Sequence, residues 1–212
     1  MKIYEYGNPE TPIVLIQPVG EHEVSSIENE VDEIRRLSDK DFCFRAFLVK
    51  NWNQELSPWK APAVFGKEDF GDGAKETLDE ILKLCTDKNK KYIIGGYSLA
   101  ALFSIWTVYQ IDLFTAVAAA SPSIWFPEFI DYMISKEIMC DAVYLSLGDK
   151  EKNTRNPVIS KVESCIYDAY DVLKRKGINT IFEQNQGNHF REPDLRTAKA
   201  FAWAMMRIHI SS

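Results

Sequence analysis

Histidine and cysteine are scarce in this chain: three and four in 212 residues, with no two cysteines in a CxxC pair. Zinc sites and dithiol redox centres need such residues closely spaced, so both are excluded, and Cys43, Cys85, Cys140 and Cys165 read as buried free thiols. Basic charge is also short. With 25 Lys and Arg against 31 Asp and Glu the net charge is −6, and the densest basic run, Lys88-Asn89-Lys90-Lys91, lies just before a strand. A phosphate-tracking surface needs a Lys/Arg stripe with interleaved aromatics, so no nucleic-acid partner is expected. Long apolar runs are missing too. No stretch approaches a membrane span, and the start Met1-Lys2-Ile3-Tyr4-Glu5-Tyr6 has no apolar core of signal-peptide length. These absences predict a cytoplasmic protein with no membrane partner. No metal-ligand spacing or phosphate-cradling loop is present, so neither metal nor cofactor is expected. Oligomeric state leaves no signature in the sequence.

What is there is an ordinary globular composition, 46% hydrophobic and 26% charged. No repeat, low-complexity block or Pro/Ser linker divides it, and residues 1–212 read as one domain. Short β-rich apolar runs at 3–6, 13–17, 42–49, 92–94, 116–119, 142–147 and 180–184 alternate with helical patterns. Those helices fall at 27–37 (capped by Ser25), 74–85, 98–109, 158–176 and 195–209. The central strands are continuous apolar runs, as when both faces of a parallel sheet are covered. The alternation predicts an α/β fold with a mostly parallel sheet, in which active sites gather at the carboxyl ends of the strands.

Lys91-Tyr92-Ile93-Ile94-Gly95-Gly96-Tyr97-Ser98-Leu99-Ala100-Ala101-Leu102-Phe103 reads as strand, tight turn and apolar helix with a serine at the tip. Gly96 and Ala100 make G-x-S-x-A, and small residues there let strand and helix close around a strained serine. Ser98 is the candidate nucleophile, and it needs a base to take its proton. Of the histidines, His209 lies in the last helix pattern as a surface or packing residue, and His22 precedes the serine in chain order. His189 follows the last strand in the polar loop Gln186-Gly187-Asn188-His189 and is the candidate base. The acid should lie between them, just past a strand. Asp149 and Glu151, after Leu147-Gly148, both qualify, and spacing alone does not separate them. An oxyanion hole needs two donors. The Leu99 N–H is one, and because Pro18 has none, the second falls to Val19 or Gly20, with Val19 preferred.

The segments Gly95-Gly96-Tyr97-Ser98-Leu99-Ala100, Ser121-Pro122-Ser123-Ile124-Trp125-Phe126, Leu147-Gly148 with its following carboxylate, and Gly187-Asn188-His189 resemble the esterase D-like branch of the α/β hydrolases. That branch includes enterochelin esterase-like and feruloyl esterase-like enzymes. The resemblance runs from about Tyr92 to His189 and implies a three-layer α/β-hydrolase fold with the Ser…Asp/Glu…His order. It places the acid three residues past the glycine, which favours Glu151 over Asp149. Departures are Ala100 for the last elbow glycine, Phe126 for a second Trp, and no His-Gly motif at Gln17-Pro18-Val19-Gly20. Trp52, Trp59, Tyr97 and Trp125 are the substrate-contacting candidates. The connection from Ser121 to Asp141 leaves no room for a large lid. The expected activity is hydrolysis of small or exposed carboxylic esters through an acyl-enzyme. The alternatives are an acyltransferase with the same triad and a catalytically silent binding protein.

Overall fold

The computed structural model describes residues 2–208, so His209 lies outside the described residues. Seven strands form one sheet: β1 (Lys2–Gly7), β2 (Ile13–Val19), β3 (Cys43–Leu48), β4 (Lys91–Tyr97), β5 (Phe114–Ala120), β6 (Ala142–Gly148) and β7 (Asn179–Asn185). Their order is β1-β3-β2-β4-β5-β6-β7, with β1 antiparallel to β3 and every other neighbour parallel. All seven residues of β2 and of β6 are buried, whereas the edge strand β1 alternates between exposed and half-buried. That contrast follows from helices covering both faces of the centre but not the edge.

One face carries α1 (Ile27–Leu37) and α7 (Pro193–Met206), packed on Ile13, Leu15, Ile93 and Ala118. The other carries α3 (Ala74–Leu82), α4 (Leu99–Thr107), α5 (Phe129–Ser135) and α6 (Val162–Arg175), packed on Val14, Ile16, Ile94 and Val117. The helices read as such for local reasons. In α1, Ile27, Val31 and Ile34 recur at helical spacing and are buried, with Glu28 in the first turn and Arg35 and Arg36 in the last, complementing the helix dipole. Every residue of α4 is buried, the pattern of a helix inside a core.

All seven expected strands form, most of them longer than the sequence pattern indicated. Three departures have local causes. Ser25 does not cap α1, because a 3-10 turn, Glu21–Ser26, runs straight into it. The 158–176 pattern is split into a 3-10 turn, Ile159–Lys161, and α6. The short α2 (Trp52–Glu55) is held by Asn51, whose side chain accepts from the Gln54 N–H, a cap too local to read from periodicity. Within the 121–141 connection the helix is α5 alone, and among the described residues no large lid covers the sheet edge. Among the described residues no helix is long and apolar enough to cross a membrane.

Candidate active site

The register aligns the carboxyl ends of the strands. Ile13 pairs with Lys91 and Ile16 with Ile94, so β2 and β4 run side by side toward the ends that carry Gly20 and Ser98. Ser98 has φ +57° and ψ −118°, a strained backbone for a residue with a Cβ. It is held from several sides: its N–H donates to the Ala120 carbonyl at 3.1 Å, and its carbonyl accepts from Leu102 and Ser123, each at 3.1 Å. The glycines before it make the turn possible. A Cβ on Gly96 would stand 2.8 Å from the Ala100 Cβ on α4, and one on Gly95 would stand 2.7 Å from the Phe201 ring on α7. The paired glycines therefore let a helix close in on each face of the strand beneath the serine.

Three side chains from three loops meet here. The Ser98 Oγ lies 3.1 Å from His189 Nε2, and His189 Nδ1 lies 2.7 Å from Glu151 Oε2. Burial alone would raise the Glu151 carboxyl. The hydrogen bond and charge of His189, with the Gly148 N–H and the Ser121 hydroxyl, outweigh burial and hold it below the ordinary carboxylate value. An ionised carboxylate only accepts, so Nδ1 carries the imidazole proton and Nε2 is free to accept the Ser98 hydroxyl. Glu151 Oε1 accepts from Gly148 N–H at 2.7 Å and from Ser121 Oγ at 2.7 Å. Ser121 itself has φ +45°, and two residues on, Ser123 Oγ sits 3.3 Å from Ser98 Oγ. The Ser121-Pro122-Ser123 segment beyond β5 thus touches both ends of the hydrogen-bonded chain.

Asp149 is elsewhere engaged. Its Oδ1 accepts from the Gly187 N–H at 2.7 Å and its own N–H donates to the Asn185 carbonyl, pinning the β6 loop to the β7 loop. The alternative acid is therefore a loop fastener, and the carboxylate against His189 is that of Glu151. Tyr97 is engaged as well. It is buried, its hydroxyl donates to the His189 carbonyl at 2.7 Å and its ring lies 5.0 Å from the imidazole, so it braces the histidine loop.

The aromatic candidates separate. Trp59 is half-buried among Phe126, Phe129 and Tyr132, with its indole N–H on the Pro127 carbonyl at 3.1 Å, which makes it a packing residue under α5. Trp125 is half-buried against Phe65 and Phe70, and Trp52 packs edge-on to the exposed His22 beside Gly20. Both pack, partly buried, against the core on that face of the sheet. Burial drives the Cys85 and Cys140 thiols up to about 12, so neither is poised as a thiolate.

The second oxyanion donor does not match the expectation for Val19. Its carbonyl accepts from the Val49 N–H at 2.9 Å, so its peptide faces β3 and its own N–H points the same way, away from Ser98. The next N–H on the Ser98 side belongs to Gly20, and it donates to Glu23 Oε2 at 2.8 Å. Burial pushes the Glu23 carboxyl up to about 7 despite that hydrogen bond. Leu99 is the first residue of α4, so its N–H has no intrahelical acceptor.

Sequence reasoning missed Arg196, a guanidinium buried beneath the acid. Nothing in Glu192-Pro193-Asp194-Leu195-Arg196 distinguishes it from a solvated helix residue.

The fold so described is that of the α/β hydrolases. An IroE-like serine hydrolase from Shewanella oneidensis matches with a TM-score of 0.75 at 13% identity, over 95% of this chain and 74% of that one. The siderophore hydrolase EstA from Aspergillus nidulans matches with a TM-score of 0.67 at 15% identity, over 93% and 84%. The enterobactin esterase FES from Shigella flexneri matches with a TM-score of 0.61 at 12% identity, over 96% of this chain and 55% of that one. At such identities the likeness is one of fold. No family model and no curated protein matches the sequence.

Proposed function

We propose that this protein hydrolyses carboxylic esters through Ser98, His189 and Glu151. The observation that carries the reading is the continuous hydrogen-bonded chain from the Ser98 hydroxyl through the imidazole to a buried carboxylate. Ser98 Oγ attacks the ester carbonyl while His189 Nε2 takes its proton, and the carbonyl π electrons move onto oxygen. The Leu99 N–H stabilises that oxyanion, with the Gly20 N–H as second donor once Glu23 yields it. Glu151 holds the imidazolium, which then gives its proton to the departing alcohol and leaves an acyl-enzyme. Water, deprotonated by His189, releases the acid and restores Ser98.

The fold neighbours support this reading, being by name a serine hydrolase, a siderophore hydrolase and an enterobactin esterase. Because α5 is the helix of the 121–141 connection and no large lid is present, the substrates are small or exposed esters rather than long-chain lipids. The test is turnover of p-nitrophenyl acetate together with fluorophosphonate labelling mapped by mass spectrometry. We expect the label on Ser98, and Ser98→Ala to lower kcat/KM by at least about 10⁴-fold, as loss of a nucleophile does. Folded protein left unlabelled at Ser98 would overturn the reading.

A further inference from the structure

Arg196 stands in the first turn of α7 with 3% of its surface exposed, and its guanidinium reaches the last residue of β4 and the loops after β5, β6 and β7. Nη1 lies 2.9 Å from Glu151 Oε1, 3.1 Å from the Tyr97 hydroxyl and 3.3 Å from Ser121 Oγ. Nη2 donates to the carbonyls of Gln186 and Asn188, each at 3.1 Å. The histidine loop is thus gripped on both sides of its imidazole: at the Asn188 carbonyl directly, and at the His189 carbonyl through Tyr97. The carboxylate is divided as well. Glu151 Oε1 takes Gly148, Ser121 and Arg196, which leaves Oε2 to His189.

Building on the triad proposed above, we infer that Arg196 is a positioning residue that locks the Glu151 carboxylate in the orientation and charge state His189 needs and ties the His189 loop to α7. Hydrogen bonds from His189, Gly148 and Ser121 already favour the ionised carboxylate, and Arg196 at 2.9 Å adds a fixed positive charge that does not depend on the protonation of the imidazole. Opposite Arg196 it stays ionised, and the resting pair carries no net charge. Attack then adds one imidazolium and one oxyanion, so the buried site remains balanced through the reaction. Only a planar fork can serve the carboxylate and two carbonyls together; a lysine ammonium supplies the charge without that reach. The ionisable groups facing Glu151 are His189 from the β7 loop, Arg196 from α7 and Tyr97 from β4.

The experiment compares Arg196→Met, Arg196→Lys and Arg196→Met/Glu151→Gln with the native protein. Its readouts are kcat and KM as a function of pH, and the low-field proton resonance of the His189 Nδ1–H to Glu151 bond, assigned by its absence in His189→Gln. For Arg196→Met we expect kcat to fall about 100-fold, the size of effect that small misplacements of catalytic groups produce, with KM changed by less than about threefold. The acid limb of its kcat/KM profile moves to higher pH and the low-field resonance disappears. Arg196→Lys returns the acid limb and the resonance but recovers only part of kcat. A residue that merely supports the fold would lower the folded fraction and leave the limb and the resonance of the folded molecules in place. That outcome, or native kcat in Arg196→Met, overturns the assignment. If Arg196→Met does not fold, the double variant, which removes the stranded carboxylate, is expected to fold, and Arg196→Lys carries the kinetic test. A native protein that shows the resonance, with variants behaving as described, but cleaves no ester would refute the proposed activity and leave the role of Arg196 standing.

Discussion

At the end of β4, Ser98 is held by its own backbone and by side-chain volume that is missing, whereas Glu151 and His189 are held by side chains converging on one buried carboxylate. The first region is local: two glycines, one positive φ and the first turn of α4. The second gathers partners from β4, β5, β6, β7 and α7. A turn made by steric allowance tolerates no added volume and little cares about charge. A shelf made by hydrogen bonds tolerates small changes of shape and is sensitive to protonation.

The largest expected effect breaks the shelf. Glu151→Gln should lower kcat by about 10³-fold, because the amide reverses the hydrogen bond that fixes the imidazole tautomer, whereas Asp149→Asn should stay within about tenfold of native. Steady-state kinetics on both variants checks this. Equal losses would mean the two carboxylates share the work.

A second effect separates carboxylates on opposite pH limbs, read as urea midpoints across pH. Glu151 is held below its ordinary value, so the stability it contributes is present above the unfolded carboxyl value of 4.5 and is lost as pH falls through the lower folded value. Glu23 runs the other way. Raised from 4.5 to about 7, it binds more protons folded than unfolded over that window, so stability declines as pH rises from 4.5 to 7, by up to about 3 kcal/mol. Glu23→Gln keeps an acceptor for the Gly20 N–H and removes the charge, so the decline between pH 5 and pH 8 should shrink, leaving the part that Glu30, also raised by burial, contributes. A decline of native size in that variant would assign it to another group.

The smallest effect sharpens the steric side. Gly96→Ala places a Cβ 2.8 Å from the Ala100 Cβ and should cost about 1–3 kcal/mol, measured by urea unfolding, with fluorophosphonate labelling of Ser98 slowed in parallel. The same variant should leave the midpoint's pH dependence alone. A changed pH dependence would show that the two regions are not separate.

This division also explains what could be read in the sequence. The serine turn is contiguous, and its physics demands particular residue types within five positions, so Gly96, Ser98 and Ala100 announce it. The strands were legible because burial on both faces makes them continuous apolar runs. Loop order pointed to His189, while the choice between Asp149 and Glu151 depended on where a loop of a few residues aims each carboxylate, and that is decided by Gly148, Ser121 and Gly187. Arg196 was hidden because a buried arginine and a solvated one look alike until the partners, up to 99 positions away, are in place. Val19 failed for parity: along β2 successive peptides face opposite neighbours, and counting from a motif that is absent cannot give the phase.

The bare edge of the sheet has one more consequence. Ser98 is half-buried and His189 leaves a third of its side chain in solvent, with no large cover above them. On the mechanism proposed above, an acyl group on Ser98 would be open to solvent on the His189 side. Its fate becomes a competition among whatever nucleophiles arrive from solution, so the yield of transferred over hydrolysed product should rise in simple proportion to added alcohol, without a threshold and with little choice among acceptors.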